Sequence, residues 1–467
     1  MSRLIVISNR VSPPRTESGA GAQGGLAVAL AAALKEYSGL WFGWSGNKIE
    51  EFTGHIDMQR AEGVTTATVD LEEQDVDEYY NGYANRTLWP LFHYRIDLAE
   101  YDRGFGSGYK RVNERFADTV APLIDPDDLV WVHDYHLIPL GQELRARGLK
   151  NRIGFFLHIP WPPSRLLVSL PNHQELVESL LAYDVIGFQT EEWLESFRHY
   201  VERELDGRVD EDGTVHVRGR TVHVAAYPIG IDYAEFSEAV ETPVAKEACE
   251  RLRGSAERKR VVIGVDRLDY SKGLAERFHG YQRFLEKHPE QRSEIFLLQI
   301  APPSRGEVAT YEEIRENLDE LSGRINGEFA EVDWVPIRYV NQGYPREELA
   351  GFYRAAPIAL ITPLRDGMNL VAKEYVAAQD PEDPGVLILS RFAGAALQLK
   401  DALMVNPYSP DEISDAIFTA LAMPKEERIR RWRGMIESVR GEDVVAWRHA
   451  FVSALENAKP AVAAEPA

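Results

Sequence analysis

The stretch that decides the fold is "APIALITPLRDGMNLVAKEY", residues 356–375. Its first six residues are apolar and predict a buried β-strand. From Leu370 onward, leucine, valine and alanine recur at helical spacing and predict an α-helix. A polar turn containing Gly367 joins the two, so the stretch is one strand–turn–helix unit with unpaired amides at the start of its helix.

The same unit recurs along most of the chain. In the first half, helical patterns follow the apolar runs "RLIVISN", "LVWVHD", "RIGFFLHI" and "DVIGFQ". The second half continues with "RVVIGVDR", "EIFLLQIA", "WVPIRYV", "GVLILS" and "ALMVNP". This alternation is typical of βαβ units around a parallel sheet. The sequence therefore predicts an α/β fold of two doubly wound, Rossmann-like domains facing an interdomain cleft, since such sheets bind ligands beyond the carboxyl ends of their strands.

A change of pattern marks the domain boundary. The segment "RVDEDGTVHVRGRTVHVAAYPIGI" predicts a hairpin and a last strand, and a polar helix follows it. We expect an N-terminal domain over residues 1–237 and a C-terminal domain over 238–457. The last helix is a candidate for packing back on the N-terminal domain, and residues 458–467 are expected to be disordered.

Composition restricts the classes of function. The chain has 467 residues and a net charge of −22, which argues against binding to nucleic acids or anionic membranes. No apolar run approaches the roughly 20 residues needed to cross a bilayer. The single cysteine, Cys249, excludes an intramolecular disulfide and favours a reducing, cytoplasmic location. If the substrates are anionic, the binding cleft must be locally basic.

The junction at residues 362–375 is a candidate anion site, because a helix start favours negative charge. Gly367 allows a ligand to approach the backbone closely. Glu374 lies one turn into the helix, where its carboxylate can accept hydrogen bonds from a ribose diol. The alternative is an ordinary capped helix with an exposed Lys373–Glu374 pair.

Two cations in "DRLDYSKG", Arg267 and Lys272, follow the first strand of the second half. Together they can neutralise a diphosphate leaving group as charge develops on it. The alternative is a surface basic pair.

In the first half, Arg10 ends the first strand, and Gly24 and Gly25 predict a second amide-lined helix start. The motif "HDYH" is a weak metal candidate, because no third or fourth ligand lies nearby. We favour Asp134, within that motif, as a carboxylate that accepts hydrogen bonds from sugar hydroxyls.

Two aromatic residues, Tyr80 and Trp89, can flank a sugar ring, although core packing explains Trp89 equally well. Two acidic motifs nearby in the sequence are less informative. We interpret "QDVDEYY" as the first turn of a helix rather than a metal site. We interpret "VDEDGTV" as a hairpin turn rather than a phosphatase motif.

Taken together, these motifs resemble the trehalose-6-phosphate synthase family, retaining glucosyltransferases of the GT-B architecture, glycosyltransferase family 20. The resemblance covers nearly the whole chain. It rests on "GGLAVAL", "LWFGWSG", "DEYYN", "LWPLFHYR", "HDYHLIPL", "NRIGFFLHIPWP", "RLDYSKGL", "IAPPSRG" and "TPLRDGMNLVAKEYVAAQ".

The resemblance implies transfer of glucose from UDP-glucose to glucose 6-phosphate, with retention, giving α,α-trehalose 6-phosphate and UDP. It implies that the reaction is carried by Arg267, Lys272, Asp366 and His158, the last through its main-chain carbonyl. Donor binding is implied for Gly24, Gly25, Arg267, Lys272, Tyr344, Asp366, Asn369, Leu370, Val371 and Glu374. Acceptor binding is implied for Arg10, Tyr80, Trp89, Asp134 and Arg305.

The resemblance also implies that no cofactor or metal is needed. The expected partners are these small molecules alone, with no nucleic acid and no membrane, and a homodimer or homotetramer stays open. Three rival functions remain: a glucosyltransferase acting on glycerol 3-phosphate, a UDP-sugar epimerase of the same fold, and a non-catalytic sensor. The residues expected to hold a hexose phosphate argue against the first two, and the intact set on both sides of the cleft argues against the sensor.

Overall fold

The computed structural model describes residues 3–11, 30, 34, 37, 39–61, 63–304 and 309–458. These residues divide into two compact units. The first holds the described residues up to Pro228 together with residues 445–458, and the second is Ile229–Val444. The boundary expected at residues 237/238 falls within the helix Tyr233–Glu241 of the second unit. The domain limits stay predictions, and residues 459–467 of the expected tail lie outside the described residues.

A ten-stranded sheet forms the centre of the first unit. Its strands are β1 (Leu4–Arg10), β2 (Leu40–Ile49), β3 (Asp57–Ala61), β4 (Val64–Glu72), β5 (Leu129–His133), β6 (Ile153–Phe156), β7 (Val185–Phe188), β8 (Arg208–Val209), β9 (Thr214–Val217) and β10 (Arg220–Ala226). The spatial order is β3-β4-β2-β1-β5-β6-β7-β10-β9-β8. The strands from β4 to β10 in this order pair in parallel, whereas β3, β9 and β8 pair antiparallel at the two edges.

The second unit has a six-stranded sheet that is parallel throughout. Its strands are β11 (Arg260–Val265), β12 (Ile295–Ile300), β13 (Ile337–Val340), β14 (Ile358–Ile361), β15 (Val386–Ser390) and β16 (Leu403–Val405). They lie in the order β13-β12-β11-β14-β15-β16. The α/β fold class is therefore confirmed.

Helices connect the strands in both units. In the first unit the α-helices are Glu73–Asp75, Trp89–Phe92, Arg103–Val120, Leu140–Ala146, Ser164–Leu167, His173–Leu180 and Glu191–Glu204, and a π-helix, Val76–Leu88, joins the first two. The second unit has Tyr233–Glu241, Pro243–Ala256, Leu274–Lys287, Ala309–Phe329, Arg346–Ala355, Leu370–Ala378, Pro410–Ala422 and Lys425–Gly441. The last helix, Val444–Asn457, starts at the final residue of the second unit. Short 3₁₀ turns lie at Ile96–Leu98, Ala121–Leu123, Tyr135–Leu137, Tyr270–Lys272, Pro289–Gln291 and Gly394–Leu397.

The sequence explains most of these elements locally. The strands β5, β12 and β14 are buried along their whole length, as continuous apolar runs in a parallel sheet require. Hydroxyl groups cap several helices; Ser409, for example, accepts a hydrogen bond from the backbone N–H of Glu412 at 3.2 Å. Among the described residues, no helix is both long and apolar enough to cross a membrane.

Candidate functional site

The helix Leu370–Ala378 begins at an asparagine with an unusual backbone. Asn369 has φ of +80°, in the left-handed region, which asparagine tolerates better than most residues. Its side-chain oxygen accepts a hydrogen bond from the N–H of Ala372 at 3.1 Å and so caps the helix. Leu370 and Val371, half-buried, form the first turn. The predicted helix start is confirmed, and Asn369 both turns the chain and caps the helix.

An ion pair joins the turn before this helix to the loop after β11. The Nζ atom of Lys272 lies 2.5 Å from Oδ2 of Asp366, and the side-chain amide of Asn369 donates to the same oxygen at 3.1 Å. Both charged side chains are mostly buried. Desolvation offsets much of the Coulomb energy of such a pair, so its net contribution to stability is small. Its main effect is to hold a cation and a carboxylate in fixed positions at the helix start.

The backbone around Asp366 is fixed as well. Its N–H donates to the carbonyl of Phe392 at 3.2 Å, and its carbonyl accepts from the N–H of Gly394 at 3.1 Å. A Cβ atom at position 394 would overlap the carbonyl oxygen of Gly367, so this close approach requires glycine.

Beneath the Lys272 loop lies a fully buried arginine, Arg277. Its guanidinium lies 2.8 Å from the carboxylate of Asp266, and it donates to Gln299 at 2.8 Å and to Thr362 at 3.1 Å. Burial raises the pKa of Asp266, while the charges of Arg277 and Lys272 oppose that rise. This network joins three strands of the sheet to the loop that carries Lys272.

The sequence interpretation missed this network and gave Asp266 no weight. A signal was present, since Arg277 falls on the buried stripe of its helix with Leu274, Phe278 and Tyr281. A charged residue on an apolar helical stripe needs a buried partner.

The remaining donor candidates of the second unit lie on three separate segments of the chain. Arg267 is exposed at the end of β11, and Tyr344 is half-buried with its ring 5.1 Å from that of Phe352. Glu374 is half-buried in the first helical turns. Burial raises the pKa of Glu374 to about 7, although the positive charge of Arg346 opposes the rise.

In the first unit, Arg10 and Tyr80 belong to a series of side chains that contact one another in turn. The guanidinium of Arg10 lies 5.6 Å from the centre of the Trp44 ring, and Trp44 contacts Tyr80 edge-on at 5.7 Å. Tyr80 in turn stacks on His136 at 5.8 Å. We call these four residues the aromatic row. The sequence interpretation named its arginine and tyrosine as acceptor residues, considered His136 only within the metal candidate "HDYH", and gave Trp44 no role.

Trp89 is only 5% exposed and packs against the rings of His93 at 4.1 Å and Tyr135 at 5.6 Å. The packing explanation accounts for this burial. A contact with a sugar ring therefore stays a prediction for Trp89.

Asp134 follows β5 with a left-handed backbone, φ +75°. Its N–H donates to the carbonyl of Phe156 at 2.9 Å, and its carboxylate accepts from the N–H of His158 at 3.1 Å. Such a conformation is costly for a residue other than glycine and is typical of functional sites. The structure thus places Asp134 and His158, two candidates far apart in sequence, side by side.

Three predicted site residues, Gly24, Gly25 and Arg305, lie outside the described residues. The acidic motif at Asp75 is helical, as predicted, and its buried carboxylate pairs with Arg111 and Arg115. The motif at residues 209–215 is a hairpin turn, also as predicted. In the part of the chain that the structure describes, no group of three or more histidine, cysteine, aspartate or glutamate side chains could hold a metal ion.

Comparison with known proteins gives close relatives over nearly the full length. The trehalose-6-phosphate synthase of Sinorhizobium fredii is 50% identical over 457 residues, covering 97% of this chain and 98% of the relative. That of Cronobacter sakazakii is 46% identical over 460 residues, covering 98% and 96%.

Solved structures agree with this similarity. An α,α-trehalose-phosphate synthase (UDP-forming) from Burkholderia xenovorans, in complex with glucose 6-phosphate, is 48% identical with a TM-score of 0.93, covering 97% of this chain and 100% of that one. A structure from E. coli bound with UDP-2-fluoro glucose is 44% identical with a TM-score of 0.94, covering 98% and 100%. The profile of glycosyltransferase family 20 matches residues 2–457. The chain belongs to glycosyltransferase family 20.

Proposed function

We propose that this chain is a retaining glucosyltransferase that moves glucose from UDP-glucose to glucose 6-phosphate, forming α,α-trehalose 6-phosphate and UDP. Relatives of this activity align over nearly the whole chain. The structural observation that carries the proposal is the 2.5 Å ion pair between Lys272 and Asp366 at the start of the helix Leu370–Ala378. This pair fixes a cation and a carboxylate beside the helix start, whose unpaired amides favour an anion.

On the second unit, the helix-start amides of Leu370 and Val371 face the diphosphate in this proposal, and Glu374 accepts hydrogen bonds from the ribose hydroxyls. Asp366 binds glucose hydroxyls. Asn369 keeps the Asp366 carboxylate in place through its 3.1 Å hydrogen bond. Tyr344, together with Gly24 and Gly25, completes the donor-binding set.

The chemistry follows from the charges. As the bond between the anomeric carbon and the UDP oxygen breaks, negative charge develops on that oxygen, and Arg267 and Lys272 stabilise it. The same phosphate oxygen takes the proton of the incoming hydroxyl, which attacks from the same face and so retains the anomeric configuration. No carboxylate of the protein acts as a nucleophile, unlike in retaining glycosidases. Since two cations supply positive charge to the leaving group, we propose that no metal is required.

In this proposal Arg10 of the first unit binds the acceptor phosphate, and Arg305 is expected to bind it too. Tyr80 and Trp89 contact the acceptor sugar, and Asp134 accepts from its hydroxyls. The exposed guanidinium of Arg10 lies on the Trp44 ring, which limits its motion without neutralising its charge. We also propose a cytoplasmic location, in keeping with the single cysteine, and a homo-oligomer stays a prediction.

The test is to incubate the purified protein with UDP-, GDP- or ADP-glucose and with either glucose 6-phosphate or glycerol 3-phosphate. We expect nucleotide release with UDP-glucose and glucose 6-phosphate, and an α,α-linked disaccharide phosphate in the proton NMR spectrum. Faster release with glycerol 3-phosphate would identify the rival acceptor. Conversion of UDP-glucose without any acceptor would favour the epimerase.

A further inference from the structure

We propose that His133 is a positioning residue for this transferase: its Nδ1 atom accepts a hydrogen bond from the His158 ring and so fixes the main chain of residue 158. The inference rests on the proposed function and on the role that the family resemblance implies for the main-chain carbonyl of His158, near the anomeric carbon of the donor. His133 ends strand β5 and is the first histidine of "HDYH", a motif that the sequence analysis considered only as a weak metal candidate.

A line of three side chains sets the protonation of both rings. The amide nitrogen of Gln189 lies 3.3 Å from Nδ1 of His158, and Nε2 of His158 lies 3.0 Å from Nδ1 of His133. An amide NH₂ group only donates, so Nδ1 of His158 accepts and its Nε2 carries the proton. That proton is then donated to His133, whose own Nδ1 must be unprotonated.

The surroundings keep both rings neutral. His133 is fully buried among Trp131, Phe156 and Trp447, with ring centres 4.5 to 6.4 Å away. Burial lowers the pKa of His133 well below its usual value and that of His158 to about 3. At neutral pH the two rings are therefore joined by a neutral hydrogen bond with a defined direction.

Packing alone does not explain a histidine at position 133. Its Nε2 atom has no hydrogen-bond partner among the residues that the structure describes. A buried N–H without a partner is destabilising, and an apolar residue in the same aromatic surroundings would avoid that cost. The hydrogen bond to His158 is the interaction that only a polar side chain can supply here.

Residue 158 is thereby held at several points. His133 and Gln189 hold its ring, and Asp134 holds its backbone N–H at 3.1 Å. Among the described residues, no backbone N–H outside the helices and strands donates to its carbonyl oxygen. A small rotation of the ring would shift this carbonyl, and displacements of about 1 Å in a reacting geometry can cost about 100-fold in rate.

The test compares two amide side chains, asparagine and glutamine, at position 133. In His133→Asn the side-chain oxygen can take the place of Nδ1, whereas in His133→Gln the amide reaches the position of Nε2 and leaves His158 without its acceptor. Trp447→Phe is the packing control, because it changes the contacts of both rings but keeps their hydrogen bond. For each protein, kcat, both KM values and Tm are measured from UDP release and thermal unfolding.

We expect His133→Gln to lower kcat about 10- to 100-fold with little change in either KM, and His133→Asn to recover most of that loss. Trp447→Phe should lower Tm while kcat stays near that of the parent. Equal kcat in the two amide variants, whether high or low, would overturn the inference. A parent protein that transfers no glucose would instead refute the proposed function, and the inference with it.

Discussion

In the second unit, an ion pair and a hydrogen bond join three candidate residues, whereas Arg10 and Tyr80 of the first unit contact aromatic rings. Lys272 and the side-chain amide of Asn369 both donate to one carboxylate oxygen of Asp366, at 2.5 and 3.1 Å. Arg10, in contrast, is exposed and lies 5.6 Å from the ring of Trp44, which leads on to Tyr80. The difference matches the task proposed for each unit. A leaving diphosphate needs fixed charges that act as the bond breaks, and a sugar phosphate needs a shaped surface with a cation that can reach it.

The largest effect should come from the charged set. Lys272→Ala removes the cation that stabilises the leaving oxygen and leaves the Asp366 carboxylate without its ion pair. We expect kcat to fall about 10²- to 10³-fold. Lys287→Ala is the matched control, because this lysine of the same unit forms ion pairs with Asp415 and Asp411 at the surface. Similar kcat values for both variants in a UDP-release assay would contradict the role of Lys272.

A second experiment tests the aromatic row. Arg10→Ala should weaken glucose 6-phosphate binding by about 10- to 100-fold, because a charge-assisted contact to phosphate is lost. UDP affinity should hardly change. Arg60→Ala, an exposed arginine on the edge strand β3, is the control. Calorimetric titration with each ligand decides the matter, and an equal loss of both affinities would assign Arg10 to the fold rather than to the acceptor.

Glu374 tests the donor side at a smaller magnitude. Glu374→Ala should lose about 1–3 kcal/mol of UDP binding free energy and Glu374→Gln less, since glutamine keeps one acceptor oxygen. The pKa of about 7 means that the parent carboxyl gains a proton as pH falls through 7. UDP affinity of the parent should therefore fall below pH 7, and this dependence should vanish in Glu374→Gln. A flat pH profile in the parent would show that the carboxylate does not bind the ribose.

The same group makes a prediction about stability without ligand. The folded protein holds this proton more tightly than the unfolded chain, whose pKa is near 4.5. The stability associated with Glu374 is therefore lost as pH rises from about 4.5 through 7. The Tm of Glu374→Gln, relative to the parent, should be higher at pH 8 than at pH 4.5. An unchanged difference across this range would contradict the raised pKa.

The last prediction is that removing metal ions has no effect on the rate. Because Arg267 and Lys272 supply the positive charge, EDTA should leave the UDP-release rate unchanged. A rate that falls with EDTA and returns with added Mg²⁺ would refute metal independence. In that case a metal ion, and not only Arg267 and Lys272, would supply positive charge to the leaving group.

Much of the fold was predictable because parallel strands and amphipathic helices leave periodic patterns in the sequence. The apolar runs before the loops of Arg10, Asp134 and Lys272 each proved to be a buried strand. Strands β2, β3 and β4 were not predicted as elements. The Val76–Leu88 segment was expected only to begin a helix, and its π-helical course was not anticipated. Pairing of β3 with β4 depends on cross-strand contacts that a window of sequence does not contain.

By itself, the sequence determined which residues end many of the strands and start the helices, and thus which chemical groups each loop carries. It did so because apolar periodicity and capping residues such as Asn369 act within a few positions of the chain. Only the tertiary structure decided which of these residues meet. The contacts of Lys272 with Asp366, of Asp134 with His158, and of Arg277 with Asp266 join segments whose approach depends on sheet order and packing, and no local pattern encodes that.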